Sequence, residues 1–176
     1  MNHRCIEGER VLLRPISEND TENVLKWKNS PEVMQNFINM NLLTESAHMQ
    51  WMEEQVNKGK VLQYIIHVKE EDKDIGSVYL RDIDRSNRVA EFGIFIGEMP
   101  EKSKGYGSES VQLLTEYGLG EYGLHKLFLR VFDYNASAIR CYLKAGYSIE
   151  GISKDAVFKG GTYRNLIFMS KISKSN

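Results

Sequence analysis

Lys102, Lys104, Gly105, Gly107 and Ser108 fall within seven consecutive residues. These residue types can hold an oxyanion. Glycines let a phosphate approach the backbone, and N–H groups with nearby lysines neutralise it. The same composition also makes an ordinary solvated turn. Position separates the two readings. The glycines follow an apolar run, VAEFGIFI, and precede a segment with helical spacing that starts at Ser108. The first four N–H groups of a helix have no internal partner and point outward, so this is where an anion would sit. Two phosphate-binding patterns fail here. No lysine stands between Gly107 and Ser108, as a P-loop requires, and position 110 is serine where a dinucleotide fingerprint has its third glycine.

Other chemically capable residues are scattered. Tyr142 lies seven residues after Asn135, so the two share a helix face. A lone tyrosine between Ile139 and Leu143 would read as a core aromatic. Glu91 sits inside an apolar strand on the face of Gly93 and Phe95. It is either a working carboxylate or the ion-pair partner of Arg81 or Arg88. His48, His67 and His125 have no metal-ligand spacing, and no metal is expected. Cys5 and Cys141 read as free thiols of a reducing compartment.

The elements that must position these groups follow from periodicity. RVLLRPI (10–16) is a strand. Ser17 starts a helix that continues through TENVLKWKN, and Ser30-Pro31 starts another. A third helix runs from Thr44 to about Lys58, with His48, Trp51, Met52 and Val56 at helical spacing. Residues 61–68, 75–83 and 88–97 are three strands joined by short polar turns, an antiparallel meander. A helix over Ser108–Glu121 and a strand over 125–133 then make a parallel crossover. Asn135 caps a short helix, Ala136–Ala145, closed by Gly146. YSIEGI leading through DAVF, and then TYRNLIFMSKI, form a hairpin about Gly160-Gly161. This predicts an α/β fold of the α+β type, a mixed sheet of six or seven strands in one domain over 1–176.

The bulk properties set outer limits. The chain has 176 residues, 41% hydrophobic and 27% charged, with a net charge of −1. No nucleic-acid or membrane partner is expected from such a balance, and any anion recognition must be local. There is no apolar signal core or membrane-length apolar run, so a cytoplasmic setting is expected.

Taken together the motifs resemble the GNAT superfamily of acetyl-CoA-dependent N-acetyltransferases. KSKGYG (102–107) is similar to its pyrophosphate loop, Gln/Arg-x-x-Gly-x-Gly/Ala, with Lys102 where Gln or Arg is usual. VAEFGIFI resembles the family's fourth strand. NASAIRCYLKAGYSIEGI (135–152) resembles its Asn-x-x-Ala-x-x-x-Tyr-x-x-x-Gly-Phe/Tyr segment, and GGTYRNLIFMSKI its closing hairpin. The nearest likeness is to the ribosomal-protein, spermidine and nucleotide-linked amino-sugar branch.

The resemblance implies a mostly antiparallel sheet with a central splayed parallel pair, flanked by helices. It implies that backbone groups of Lys102, Ser103, Lys104, Gly105, Tyr106 and Gly107, with the Ser108 hydroxyl, hold the pyrophosphate of acetyl-CoA, the acetyl donor. Gly93, Ile94 and Phe95 would lie along the pantetheine, and Asn135 would bond the cofactor arm. Tyr142 would be the general acid for the leaving thiol, and Glu91 the best-placed base. The implied reaction is direct acetyl transfer to a primary amine, a protein N-terminus or a small molecule such as a polyamine. The Trp27-Lys28-Asn29-x-Pro31 run resembles amino-sugar enzymes, which keeps a nucleotide-linked amino sugar open as acceptor. For a polyamine, Glu45, Glu53 and Glu54 are the available acids. A non-catalytic acyl-CoA-binding module is the alternative of another class. An exposed sheet edge is compatible with a homodimer.

Overall fold

The computed structural model describes residues 4–38 and 41–174. Its strands are β1 (Ile6–Glu7), β2 (Val11–Pro15), β3 (Leu62–Val68), β4 (Lys73–Asp84), β5 (Val89–Ile96), β6 (Lys126–Phe132), β7 (Ser148–Lys159) and β8 (Thr162–Ile172). The helices are α1 (Thr21–Lys28), α2 (Pro31–Met34), α3 (Glu45–Trp51), α4 (Tyr106–Leu119) and α5 (Ala136–Lys144). The strands form one sheet in the order β1-β2-β3-β4-β5-β6-β8-β7. The sheet has eight strands because β1, two residues long and too short to show a period, adds to the seven readable in the sequence.

All strand pairs are antiparallel except β5 and β6. That parallel pair is in register only from Val89↔Lys126 to Glu91↔Phe128. Beyond Glu91 the two strands part. β5 stays bonded to β4 as far as Ile96, and β6 stays bonded to β8 as far as Phe132. A slot therefore opens through the middle of the sheet.

Each face of the sheet carries its own core. Phe92, Val111, Leu114, Leu127 and Tyr142 pack on the side of α4 and α5. Trp27, Val24, Met52, Ile65 and Phe95 pack on the side of α1 to α3. The alternation of side chains along β5 explains the split, since Phe92 faces one way and Phe95 the other. A Cβ on Gly118 would lie 3.1 Å from Leu80 and 3.3 Å from Leu127, so glycine there lets α4 settle close on the sheet.

Local chemistry sets the element ends. The Asp20 carboxylate accepts from the Ser17 N–H at 2.8 Å and from Arg14, which starts the α1 region with one 3₁₀ turn at Glu18–Asp20. The Thr44 hydroxyl accepts from Ala47 N–H at 3.2 Å and caps α3. The predicted helix to Lys58 is α3 followed by a π-helical turn over Met52–Val56. Gly160 and Gly161 both have positive φ, 60° and 79°, as a tight two-residue hairpin turn demands.

Candidate functional site

The slot between β5 and β6 opens into a cleft of about 600 Å³ that reaches both faces of the sheet. On the first face it is lined by Ile94 and Ile96 of β5, by the segment ahead of α4, and by Asn135, Ala138, Cys141 and Tyr142 around α5. On the second it is lined by Lys28, Phe37, Tyr79, Arg81, Phe95 and Arg130.

The segment before α4 is shaped for an anion. Gly105 is the N-cap with φ 94°, and Ser103 also has positive φ, 67°. The Glu109 N–H bonds back to the Gly105 carbonyl at 3.1 Å. The N–H groups of Tyr106, Gly107 and Ser108 ahead of it have no preceding helical turn to bond. Lys102, Ser103, Gly105, Gly107 and Ser108 line the cleft. Lys104 and Tyr106 do not. The Lys104 ammonium turns to Glu101 at 2.8 Å and Glu71 at 3.6 Å, and its carbonyl accepts from Arg10. The Tyr106 ring is buried beneath the Arg10 guanidinium, 4.3 Å from the centroid. Only the backbone of these two residues is available to a ligand.

Tyr142 is buried, with its ring set edge-on to Phe92 at 6.1 Å. Its hydroxyl has no hydrogen-bond partner among the described residues, and Tyr142 is one of the residues that line the cleft. Burial pushes this phenol well above its ordinary value, so it keeps its proton through neutral pH. Asn135 caps α5, its Oδ1 accepting from Ala138 N–H at 3.3 Å and from the Ser137 hydroxyl at 3.1 Å. Its amide nitrogen is left for the cleft. Cys141, half-buried, donates to the Ser108 hydroxyl at 3.3 Å and ties α5 to the start of α4.

Glu91 also lines the cleft but is occupied. Arg81 Nε and Arg130 Nε each donate to its carboxylate at 2.9 Å, and Arg130 Nη2 adds a bond at 3.1 Å. Burial pushes this carboxyl up, and the two guanidiniums outweigh that, so its pKa lies below the ordinary value. The ion-pair reading that the sequence left open is the observed arrangement. The partners are Arg81 and Arg130, not Arg88, because Arg81 is the cross-strand neighbour of Glu91 and β6 brings up Arg130.

The WKN stretch at the end of α1 frames the second face. Trp27 Nε1 donates to Glu98 at 2.8 Å, and its ring fills the space where a Cβ on Gly97 would lie. Asn29 exchanges two bonds with Leu43, Nδ2 to the carbonyl at 2.9 Å and Oδ1 from the N–H at 2.8 Å. Between them the half-buried Lys28 points into the cleft, with the rings of Trp51, Phe95 and Phe37 at 5.6, 5.9 and 6.0 Å. Tyr79 lies across Gly93, its Cζ 2.3 Å from where a Cβ would be. Glu45, Glu53 and Glu54 are exposed and do not line the cleft.

His125 is structural, its N–H bonding Arg88 and its carbonyl accepting from Ser173. No cluster of metal-ligating side chains occurs among the described residues, and no helix among them is long and apolar enough to cross a membrane.

A family profile for the acetyltransferase (GNAT) domain matches residues 10–148. The chain belongs to the GNAT acetyltransferase family. It is 30% identical over 160 residues to spermidine N(1)-acetyltransferase of Escherichia coli (strain K12), covering 90% of this chain and 84% of that protein. Its fold is similar to that of Vibrio cholerae spermidine N-acetyltransferase in complex with CoA and spermine, with a TM-score of 0.88 at 20% identity over 94% and 97% of the two chains. Ribosomal-protein-S5-alanine acetyltransferase of Vibrio fischeri gives 0.86 at 18% identity, covering 98% of both. This GNAT protein is an acetyl-CoA-dependent N-acetyltransferase, and acetyl-CoA is its acetyl donor.

Proposed function

We propose that the cleft through the sheet is the site of acetyl transfer, with the donor on the α4–α5 face and the amine on the α1–α3 face. The observation that carries this reading is the parting of β5 from β6 beside Glu91, with the α4 N-terminus and the Tyr142 phenol on one opening. Backbone N–H groups of residues 102–108 and the Ser108 hydroxyl bind the donor's pyrophosphate. Along Gly93, Ile94 and Phe95 the unpaired edge of β5 offers to the pantetheine and the thioester oxygen those N–H groups that do not bond β4. The Asn135 amide bonds the same arm. The amine nitrogen attacks the carbonyl carbon, the C–N bond forms, the C–S bond breaks, and Tyr142 gives its proton to the leaving sulfur. The proton of the amine leaves to water. In this reading Glu91 orders that water through its ion pairs and does not act as a free base.

The acceptor is a primary amine, on a small molecule or a protein N-terminus. A nucleotide-linked amino sugar is the second reading, favoured by the position of the WKN stretch at the acceptor end. The free thiols of Cys5 and Cys141 fit a reducing cytoplasm. The outer strand β7, with exposed Ile149 and Ile152, supports self-association as a homodimer. The test is thiol release from acetyl-CoA with polyamines, amino sugars and N-terminal peptides. Turnover of one class supports the reading. Acetyl-CoA binding with no turnover on any acceptor would make the chain a binding module.

A further inference from the structure

The amine face of the cleft carries an unbalanced charge. Among the described residues it presents Lys28, Arg81 and Arg130 and a single carboxylate, Glu91. That carboxylate is already bonded to both arginines. The other carboxylate lining the cleft, Glu101, is bonded to Lys73 at 3.2 Å and Lys104 at 2.8 Å. Among the described residues that line the cleft, no unengaged acid is therefore available to a polycationic acceptor.

Lys28 stands out among these cations. It ends α1, where carbonyl ends favour a positive charge, and three aromatic rings surround its ammonium. No carboxylate among the described residues pairs with it. A half-buried ammonium without a counter-ion is costly to keep charged. Burial, and then the charge of Arg81, hold its pKa down at about 8. Its neighbours do not compensate: Arg81 approaches from β4, and His48 from α3 is itself buried with an unpartnered Nε2. An anion brought by a ligand would supply what the chain does not.

We propose that Lys28 is a specificity residue that binds an anionic group on the acceptor, so that the preferred substrate is an amine that also carries a phosphate or a carboxylate. Its neighbours Trp27 and Asn29 hold it there, through Glu98 and Leu43. The aromatic rings exclude water from the ammonium and strengthen its bond to the incoming anion. Arg81 and Arg130 add field without being free to pair fully, since Glu91 holds both. This inference rests on the assignment of the amine to the α1–α3 face.

The test uses matched acceptor pairs in the thiol-release assay. Glucosamine 6-phosphate is set against glucosamine, phosphoethanolamine against ethanolamine, and alanine against alaninamide, with spermidine as the polycation. The expected kcat/KM is about tenfold or more higher for the anionic member of at least one pair. Which pair responds tells phosphate from carboxylate. Lys28→Met should collapse that ratio mainly through KM, and Lys28→Arg should preserve it. Equal rates within every pair, or spermidine as the best acceptor, would overturn the proposal. So would a ratio untouched by Lys28→Met in protein that CoA still stabilises thermally. If no amine is acetylated, it is the enzymatic reading that fails, and binding decides. Pyrophosphate titrated into CoA-saturated protein should then bind wild type about tenfold tighter than Lys28→Met, and equal binding refutes the role.

Discussion

Arg130 reaches from β6 to Glu91 on β5, bonding Oε1 through Nε at 2.9 Å and Oε2 through Nη2 at 3.1 Å. Glu91 is the last residue of β5 in register with β6. The ion pair therefore stands at the apex of the slot, where backbone pairing ends and side chains take over. Arg81 completes it from β4, so three adjacent strands are joined at one carboxylate.

Replacing Glu91 by Gln leaves two guanidiniums facing each other at that apex. A fully buried pair loses roughly 3–5 kcal/mol when one partner is removed, but both arginines keep solvent contact, so a loss of about 2 kcal/mol is expected. Its pH dependence has a definite sign. The folded-state pKa lies below the ordinary 4.5, so the stabilisation is present above that value and is lost as pH falls through the depressed folded value. Urea titrations should show a constant gap between wild type and Glu91→Gln from neutral pH to about pH 5, closing below it. A gap that widens on acidification would refute the ion-pair account.

Tyr142→Phe removes one oxygen that no described residue holds, while the ring keeps its contacts with Phe92 and Tyr147. Thermal stability should barely change. Loss of the proposed proton donor should lower kcat about a hundredfold with little change in KM for acetyl-CoA. Equal activity of the two proteins across the pH range would remove Tyr142 from the chemistry.

The two loop glycines should respond differently to alanine. Gly105 has φ 94°, a conformation that costs an L-residue about 1 kcal/mol or more, so Gly105→Ala should lose stability and CoA binding together. At Gly107 a Cβ would meet only Ile96, at 3.7 and 3.9 Å, an ordinary contact. Gly107→Ala should therefore melt with wild type and bind CoA within about threefold of it. Isothermal titration with CoA distinguishes the two.

Gly93→Ala should act through a neighbour. Its Cβ would fall 2.3 Å from the Tyr79 Cζ, and the ring is the part that can move. The displaced ring would enter the amine side of the cleft and raise the KM for the acceptor more than that for acetyl-CoA. Shortening the neighbour as well, in Gly93→Ala with Tyr79→Ser, should return part of the acceptor KM. A double variant no better than the single one would exclude this relay.

Much of this architecture was legible in the sequence because it rests on local chemistry. The sequence places the start of α4 at Ser108, two residues after its observed start at Tyr106, because the N-cap is a left-handed glycine, Gly105, and not the serine, while Asn135 with Gly146 bracketed α5. Tyr142 became a candidate only through the resemblance of the segment from Asn135 to the family motif, since its spacing alone left it a core aromatic. The partners of Glu91 were not, because Arg130 comes from a strand 39 residues away in sequence. One signal was there. Arg130 is a lone charge in FLRVF, as Glu91 is in VAEFGIFI, and opposite charges on neighbouring strands gain by pairing. Lys28 entered only as part of the WKN run and Tyr79 not at all, because helical and strand periods say which face a residue takes, not which cavity the tertiary packing opens beside it. Ile38, Asn41 and Leu43 also line the cleft, and the sequence around them has no period from which a site could be read.

The slot between β5 and β6 also bears on traffic. A sheet normally separates what lies above it from what lies below. Here the wall has a window, and in the proposed function the two reactants approach it from opposite sides. Neither has to leave for the other to arrive, so both can wait at the window together. Initial-rate plots should then intersect, as for a ternary complex. A molecule carrying both reactants' recognition groups on one tether would be threaded through the protein and locked on both sides.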